Sequence, residues 1–570
     1  MKYRLALIAT LVFGSLFGGC TQFGGTKGEL REVEHGKFSP QSQERADVYY
    51  DYLVAQHFLR SKQVDEAVEA YTQALEKDPR SPMLLTELAT LYVRQGKIDQ
   101  ALKLAEQATT NNPQYEQGYM LLGQLYAGIG QNGKAIASYK KVLEMHPNHE
   151  DAFLLLGALY AQEGRFAEAM DIFDRLRKLL PDNPVALYYK ARVFLDMKFY
   201  DQAESIYQEV LSLEPAFESA LLDLAYIHEV TERPKEAEKT YSRILSFNSS
   251  SVQARTRLGN LYMRTNRAEE ALQQFGQLSR SNKKDFESRL KIGIIHMQQK
   301  DFEAAIQDFT YLLKDEPQYD QALYYLGSTY EEKQDTNQAI LNFRMVSRNS
   351  PLWSTAQIRL SMIFAKAKDY KSATTVLEDA IVKQPEVPEL YLYLAVVQED
   401  QKLYEEGLRS VERGLQTAPK DLDLLFRRGI LLEKLNRKED ALAAMHRVLE
   451  LDSQNANALN YIGYTYAEMG VKLQEARQMV KMALDLQPDD GYIMDSLAWV
   501  YYKMGQHKKA LDIILEAIKR VPQDPVIQEH LGDIYLGLGR KSKATEAFQK
   551  ALEFEHSEPE KIQEKLRLLQ

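Results

Sequence analysis

Residues 119–147 read YMLLGQLYAGIGQNGKAIASYKKVLEMHP, and the spacing inside this stretch decides the fold. Leu122-Gly123 is followed by Tyr126, then by Ala135, Tyr139 and Pro147. Apolar residues recur at three- and four-residue intervals, which predicts two amphipathic helices. Small residues at Gly123 and Ala135 let the two backbones approach, and Pro147 closes the second helix because it can neither donate to the preceding turn nor fit inside it. The stretch is one copy of a unit that returns every 34 residues from about Val48 to Glu558. In blocks counted from Val48, the eighth residue is small in all fifteen copies, from Ala55 to Gly532. The twentieth is alanine in fourteen of the fifteen, from Ala67 to Ala544 with Gly407 the exception, once one inserted residue near Val471–Leu473 is allowed for. An aromatic often follows four places later, as in Tyr71, Phe173 and Phe548, and eleven of the eighteen prolines fall at one phase, which chance does not produce.

This pattern resembles the tetratricopeptide repeat, with its Leu-Gly, aromatic, Ala, aromatic and Pro signature. The block around Leu497-Ala498, Tyr501, Ala510, Ala517 and Pro522 is a second good copy. The resemblance covers about nine tenths of the chain and implies an all-α fold, a right-handed α-solenoid superhelix of about fifteen helical hairpins and about two turns. It departs from the family in having no Trp at the fourth place. Arg255, Arg289, Gln357 and Gln528 stand there in four copies, which predicts looser packing. Residues 39–558 form the solenoid, Ser39-Pro40 open its first helix, and residues 559–570 carry a helical pattern expected to cap the stack. The phase proline is missing at Ser249 and Lys283, so residues 248–286 are a candidate hinge.

The N-terminus differs in kind. Lys2 and Arg4 precede an apolar run from Leu5 to Phe17, then Gly18-Gly19-Cys20, which is the pattern of a secretory signal over residues 1–19. The run is too short to span a bilayer comfortably. Cys20, the single cysteine, stands where bacterial lipoprotein signals place the residue that is lipidated, for example by palmitate. Phe17 and Gly18 depart from the usual residues of that box, and cleavage leaving a free thiol is the alternative. Residues 20–38 read as a flexible tether, and Thr21 after the cysteine resembles outer-membrane routing, which places the solenoid on the periplasmic side. No internal disulfide can form. Loss of residues 1–19 takes the net charge from −10 to −12, which argues against nucleic acid as a partner. With 45% hydrophobic and 27% charged residues, the chain is too polar for a multi-span membrane protein.

Catalytic and cofactor motifs are missing: no His-Glu-x-x-His, Walker loop, Gly-x-Ser-x-Gly or Gly-x-Gly-x-x-Gly occurs. The expectation is a protein that is not an enzyme and takes no cofactor. His146 and His149 flank Pro147 without an evident cluster beside them, a poor metal site. His228 and His296 stand where other copies put Tyr or Phe and read as core.

Function is then expected on the concave surface, which the resemblance assigns to first-helix residues at places two, five, six, nine, twelve and thirteen. Two regions stand out. Between Val252 and Lys300 ten basic residues face four acids, and Arg257, Asn260, Arg264 and Lys291 fall at groove places. They partly resemble the carboxylate clamp of some tetratricopeptide domains, except that Ile294 replaces its second Asn. A solvated basic face is the competing reading. The other region is aromatic: Tyr461, Tyr464, Tyr492, Trp499 and Tyr502, with Asn460 and Asp495 among them, plus Tyr188-Tyr189 and Tyr324-Tyr325. Rigid aromatic rings suit binding hot spots, and core packing is the alternative. The resulting expectation is a membrane-anchored scaffold for proteins or peptides of the cell envelope. Its rival is a tetratricopeptide lipoprotein assisting exopolysaccharide export, with glycan stacked on the rings.

Overall fold

A computed structural model describes residues 40–569. The signal pattern, Cys20 and the tether lie outside the described residues. Thirty-one α-helices and no strand occur among the described residues, from α1 (Pro40–Arg60) to α31 (Pro559–Arg567). Odd-numbered helices up to α29 (Pro525–Gly537) are the first helices of the fifteen repeats and even-numbered ones the second. Residue contacts divide the chain at Leu278/Ser279. Each unit by itself is an α-solenoid in which the two helices of a repeat pack as a hairpin and the second helix packs on the next repeat's first.

The sequence code has a direct steric cause. In α5 (Glu116–Gly128), a Cβ on Gly123 would lie 2.4 Å from the ring of Tyr139 in α6 (Asn132–Met145). In α7 (Glu150–Gln162), one on Gly157 would lie 2.5 Å from Phe173. The small eighth residue is the seat on which the second helix's aromatic lies flat, and Tyr71, Tyr139, Phe173, Tyr207, Tyr241, Phe309, Phe343 and Phe548 are all essentially inaccessible. Between the two helices the chain reverses through one residue in the left-handed region. Gly96, Gly130, Gly164, Gly505 and Gly539 take it, but so do Lys62, Lys198, Lys300, Lys368 and Lys402. In α15 (Phe286–Gln298) this turn is closed by Asp301 N–H donating to His296 O and Lys300 N–H to Met297 O, at 2.9 and 3.0 Å.

Several first helices are capped by side chains, including Ser251 and Asp285 in the stretch without phase prolines. The expected loosening at the fourth place is not what the structure shows for two arginines. Arg255 donates to Gln274 at 3.0 Å and Arg289 to Asp308 at 2.7 Å, so a polar partner nineteen residues later replaces the missing apolar contact. Gln528 is buried. His228 is buried against Thr240 and Glu204, and His296 lies 2.9 Å from Asp308. The last helix, α31, starts one period after Pro525. It places Ile562, fully buried, against Phe548 of α30 (Lys541–Glu553), and has Leu566 where repeats that continue need a small residue.

Candidate functional site

The site is built on three first helices of the second unit: α25 (Ala456–Met469), α27 (Gly491–Lys503) and α29. They pack on one another as well as on their own partners, so groove places of successive repeats come into contact. Such a ladder runs through this unit. Glu331 meets Arg359 at 2.9 Å and Glu399 meets Arg427 at 2.7 Å, each a twelfth-place acid on the next repeat's sixth-place base.

At the C-terminal end the ladder becomes a buried polar and aromatic cluster. Trp499 is 7% exposed, stacked on Tyr502 at 4.8 Å and on His530 at 4.1 Å, and its indole N–H donates to Glu468. Asp495, 6% exposed, accepts from His530 Nδ1, with both carboxylate oxygens 2.9 Å away. Burial works against charge on His530, but the carboxylates of Asp495, Glu529 and Asp533 outweigh it and raise its pKa above the ordinary histidine value. Tyr464 lies 6.2 Å from His530, and burial together with Glu468, Asp495, Glu529 and Glu433 keeps its phenol protonated. Tyr461 is held likewise by burial and by the charge of Glu433. Tyr502 is half-buried, and Tyr492 is 56% exposed.

Beside this cluster, Lys565 of α31 lies 2.6 Å from both Glu529 and Asp533, and Lys561 lies 3.1 Å from Glu529. Burial opposes ionisation of Glu529, yet the two lysines dominate and hold its pKa at about 2. Asp533 is shifted up because burial outweighs Lys565.

Of the aromatic residues singled out from sequence, the structure brings Tyr464, Trp499 and Tyr502 together with Asp495, while Tyr492 stands in solvent. Trp499 and Asp495 already have partners, so they shape the surface, and Tyr461, Tyr464, Tyr492 and Tyr502 present it. Asn460 is half-buried on the same face of α25. His530, Glu529, Asp533, Glu468, Lys561 and Lys565 were missed. The signal was available for four of them, since Glu529, His530 and Asp533 occupy groove places five, six and nine of the last repeat and Glu468 occupies place thirteen of the repeat that begins at Ala456. Tyr188 and Tyr189 pack on each other, on Tyr207 and on Phe173, and Tyr324 and Tyr325 do the same with Phe343 and Phe309.

The basic residues are in part spent on neighbours. In the first unit, Arg264 of α13 (Val252–Arg264) pairs with Glu229 of α11 (Glu218–Val230). Exposed Arg257 lies over the Tyr226 ring at 5.8 Å, and Asn260 is half-buried. In the second unit, Lys291 pairs with Glu287 of its own helix at 2.9 Å.

His146 and His149 do have a carboxylate between them, contrary to the sequence expectation: Glu116 lies 3.0 and 2.7 Å from their Nε2 atoms. His149 Nδ1 accepts from Ala152 N–H, so its Nε2 carries the proton given to Glu116 and has no lone pair for a metal. Among the described residues no group of three or more His, Cys, Asp or Glu is placed to hold a metal ion, and no helix is long and apolar enough to cross a membrane.

Two family models described as Tetratricopeptide repeat match the chain, one over residues 58–125, 129–193 and 194–250, the other over 256–314, 290–351, 358–421, 426–491 and 496–558. A TPR repeat-containing protein of Pseudomonas aeruginosa is 32% identical over 145 residues, a match spanning 25% of this chain and 25% of that protein. Among solved structures, yeast Tom70 aligns at 15% identity over 82% of this chain and 97% of that one, with a TM-score of 0.37. A tetratricopeptide repeat protein from Parabacteroides merdae aligns at 19% identity over 44% of this chain and 99% of that one, also with a TM-score of 0.37.

Proposed function

The chain belongs to the tetratricopeptide repeat family, and from that premise we propose that it is a non-catalytic scaffold, anchored by lipid on Cys20 to the outer membrane of a bacterial cell envelope, whose concave groove binds segments of partner proteins on the periplasmic side. Repeats of this family generally bind proteins and are generally not catalytic. The observation that carries the reading is the end of the groove at α25, α27 and α29. There a buried frame of Trp499, His530, Asp495 and Glu468 fixes the shape of a surface on which Tyr492 and Tyr502 remain open. A preformed surface of rigid rings binds with little ordering cost to the scaffold.

The glycan alternative needs an open ring face. Trp499, the largest ring of the cluster, is stacked against Tyr502 and His530 and almost wholly covered, so a sugar would have to stack on Tyr492 or on the half-buried Tyr502 instead.

Capture from envelope extract by the lipid-free solenoid, before and after polysaccharide digestion, tests the reading. Retention of bound protein after digestion supports it, and loss of the catch would transfer support to the glycan role. Fractionation of a Cys20→Ser variant tests the anchor: release from membranes is expected, and unchanged membrane association would refute lipid anchoring at that residue.

A further inference from the structure

Within the stack, each first helix turns one side toward the repeat before it. A Cβ on Gly118, third residue of repeat 3, would lie 2.9 Å from Thr109 in the second helix of repeat 2, and one on Gly407 would lie 3.2 Å from Leu431, tenth residue of the repeat that follows. Sixth residues meet the preceding repeat's twelfth, as Arg359 meets Glu331. In all fourteen later repeats the third and tenth residues are buried. Repeat 1 has no predecessor among the described residues, and there the third, sixth and tenth places hold Tyr50, Leu53 and His57. Tyr50 is 67% exposed, Leu53 60% and the neighbouring Tyr49 70%, with His57 exposed beside them. The C-terminal end is different. It is closed by α31, which buries Ile562 and exposes Glu560, Lys561, Gln563, Glu564 and Arg567.

A repeat stack stays soluble through polar ends, so an end made of two tyrosines and a leucine calls for an occupant, and its surroundings select one. At about 100° per residue, Ala46, Tyr49, Tyr50, His57 and Arg60 all lie within about 60° of Leu53 around α1, and all are exposed. Exposed Arg45 stands at the edge of this stripe. The acids are turned away: Asp47 lies about 120° from Leu53, and Asp51 is buried and paired with Lys77. A second copy fits poorly. Laid parallel, the two helices would set Arg60 against Arg60, and laid antiparallel about Leu53 they would bring Arg45 beside Arg60, like charges in either case. Anionic lipid headgroups pair with the same arginines, whose stems can lie along apolar surface, and tyrosine suits a depth where one end of the ring is apolar and the other wet. Reach points the same way. Pro40 follows Cys20 by twenty residues, at most about 70 Å of chain. A lipid on Cys20 would confine α1 to that distance from the bilayer, an effective concentration on the order of a millimolar, at which a weak contact is populated.

We propose that the open end of the stack on α1, Tyr49, Tyr50 and Leu53 with Arg45 and Arg60, seats in the headgroup layer of the bilayer that carries the Cys20 lipid, so that the membrane closes the first repeat as α31 closes the last. This rests on the lipid-anchor reading and adds to it a second, non-covalent contact that fixes how repeat 1 stands on the surface.

The test uses the full lipidated chain, purified from membranes and returned to vesicles of phosphatidylethanolamine and phosphatidylglycerol. Cys20 is the single cysteine, so once it is lipidated Ala46→Cys supplies one free thiol on the stripe and leaves both tyrosines and Leu53 in place. A fluorophore on that thiol is exposed to lipids bearing nitroxide near the headgroup, with Lys239→Cys on a second-helix surface as the reference. Quenching is expected to be severalfold stronger at position 46 than at 239. It should fall to the reference level when Tyr49→Gln, Tyr50→Gln and Leu53→Gln are added, with helical content unchanged because all three side chains are exposed. Replacing phosphatidylglycerol by phosphatidylcholine should weaken it. Equal quenching at the two positions, or quenching that survives the triple substitution, overturns the proposal. Dipolar coupling between nitroxides on Ala46→Cys in place of quenching would give the face to a second copy, and shielding of that thiol in the Cys20→Ser chain in solution would give it to residues 21–39; either result overturns the proposal too. Flotation of the chain with the vesicles is scored in parallel. A chain that floats without quenching at position 46 removes this inference alone, and a chain that neither carries lipid nor floats removes the anchor reading and this inference with it.

Discussion

Alanine at Gly123 and alanine at Gly128 lie on the same helix and are expected to move stability in opposite directions. A Cβ at Gly123 falls 2.4, 2.7 and 2.8 Å from three ring carbons of Tyr139, a side chain only 2% exposed. Carbon atoms rest at about 3.5–4.0 Å, so the ring has to withdraw by about 1 Å from its seat. Overpacking of that kind costs roughly 1–3 kcal/mol, and alanine's helix preference over glycine returns about 1 kcal/mol. The net expectation is a loss of about 1 kcal/mol. At Gly128 no atom lies within 4 Å of the added carbon, so only the favourable part remains, a gain of up to about 1 kcal/mol. Repeats open as locally coupled units, and the fitting assay is hydrogen exchange of the α5 and α6 amides. About 1 kcal/mol corresponds to roughly fivefold in exchange rate. Exchange is expected to speed up in Gly123→Ala and to slow in Gly128→Ala, and Tyr139→Leu added to Gly123→Ala should recover part of the loss. Equal slowing in the two single variants would refute the idea that the small eighth residue is a ring seat.

At the intra-repeat turn, Lys300 has φ 62° and Lys368 φ 59°, so Lys300→Gly and Lys368→Gly should each stabilise by about 1 kcal/mol in denaturant titration. Trp499→Ala is expected to destabilise repeats 13–15 by roughly 3–5 kcal/mol, seen as lost exchange protection, whereas Tyr492→Ala should change stability by less than about 0.5 kcal/mol and weaken partner capture. The pKa of His530 is raised above its ordinary 6.5, so its ion pair with Asp495 contributes fully below that value, and the contribution is lost as pH rises through the higher folded value. Thermal unfolding of wild type should therefore weaken in that window, and His530→Gln should flatten the slope. Glu529, with its pKa held at about 2, contributes above the ordinary carboxylate range and loses its contribution as pH falls toward 2. Glu529→Gln should accordingly reduce acid sensitivity of the α31 amides in hydrogen exchange.

What the sequence discloses well is what short-range sterics enforce. Gly123 and Tyr139 sit sixteen residues apart in a fixed hairpin, so their pairing repeats with the period and the fold is legible from it. Repeat boundaries follow from Pro and the capping Ser, Asn and Asp for the same reason. The exposure of groove residues is legible only in part. Trp499 and Tyr492 belong to one helix and both occupy groove places, but Trp499 is covered because Glu468 and His530 arrive from the repeats before and after, thirty-one residues away on either side. Arg264 looks like a free clamp donor in the sequence, and Glu229, thirty-five residues earlier, takes it. Charge balance along the groove is set by such contacts between repeats, which periodicity within a repeat does not encode.

The most direct measurement is site-specific photo-cross-linking in living cells, with the photoreactive residue placed singly at groove positions Gln124 and Tyr492 and at second-helix surface positions Lys239 and Lys481. Cross-links to partner proteins at the groove positions and none at the second-helix positions are the expected result. Equal cross-linking on both faces, or cross-links confined to the second-helix positions, would contradict a scaffold that works through its concave groove.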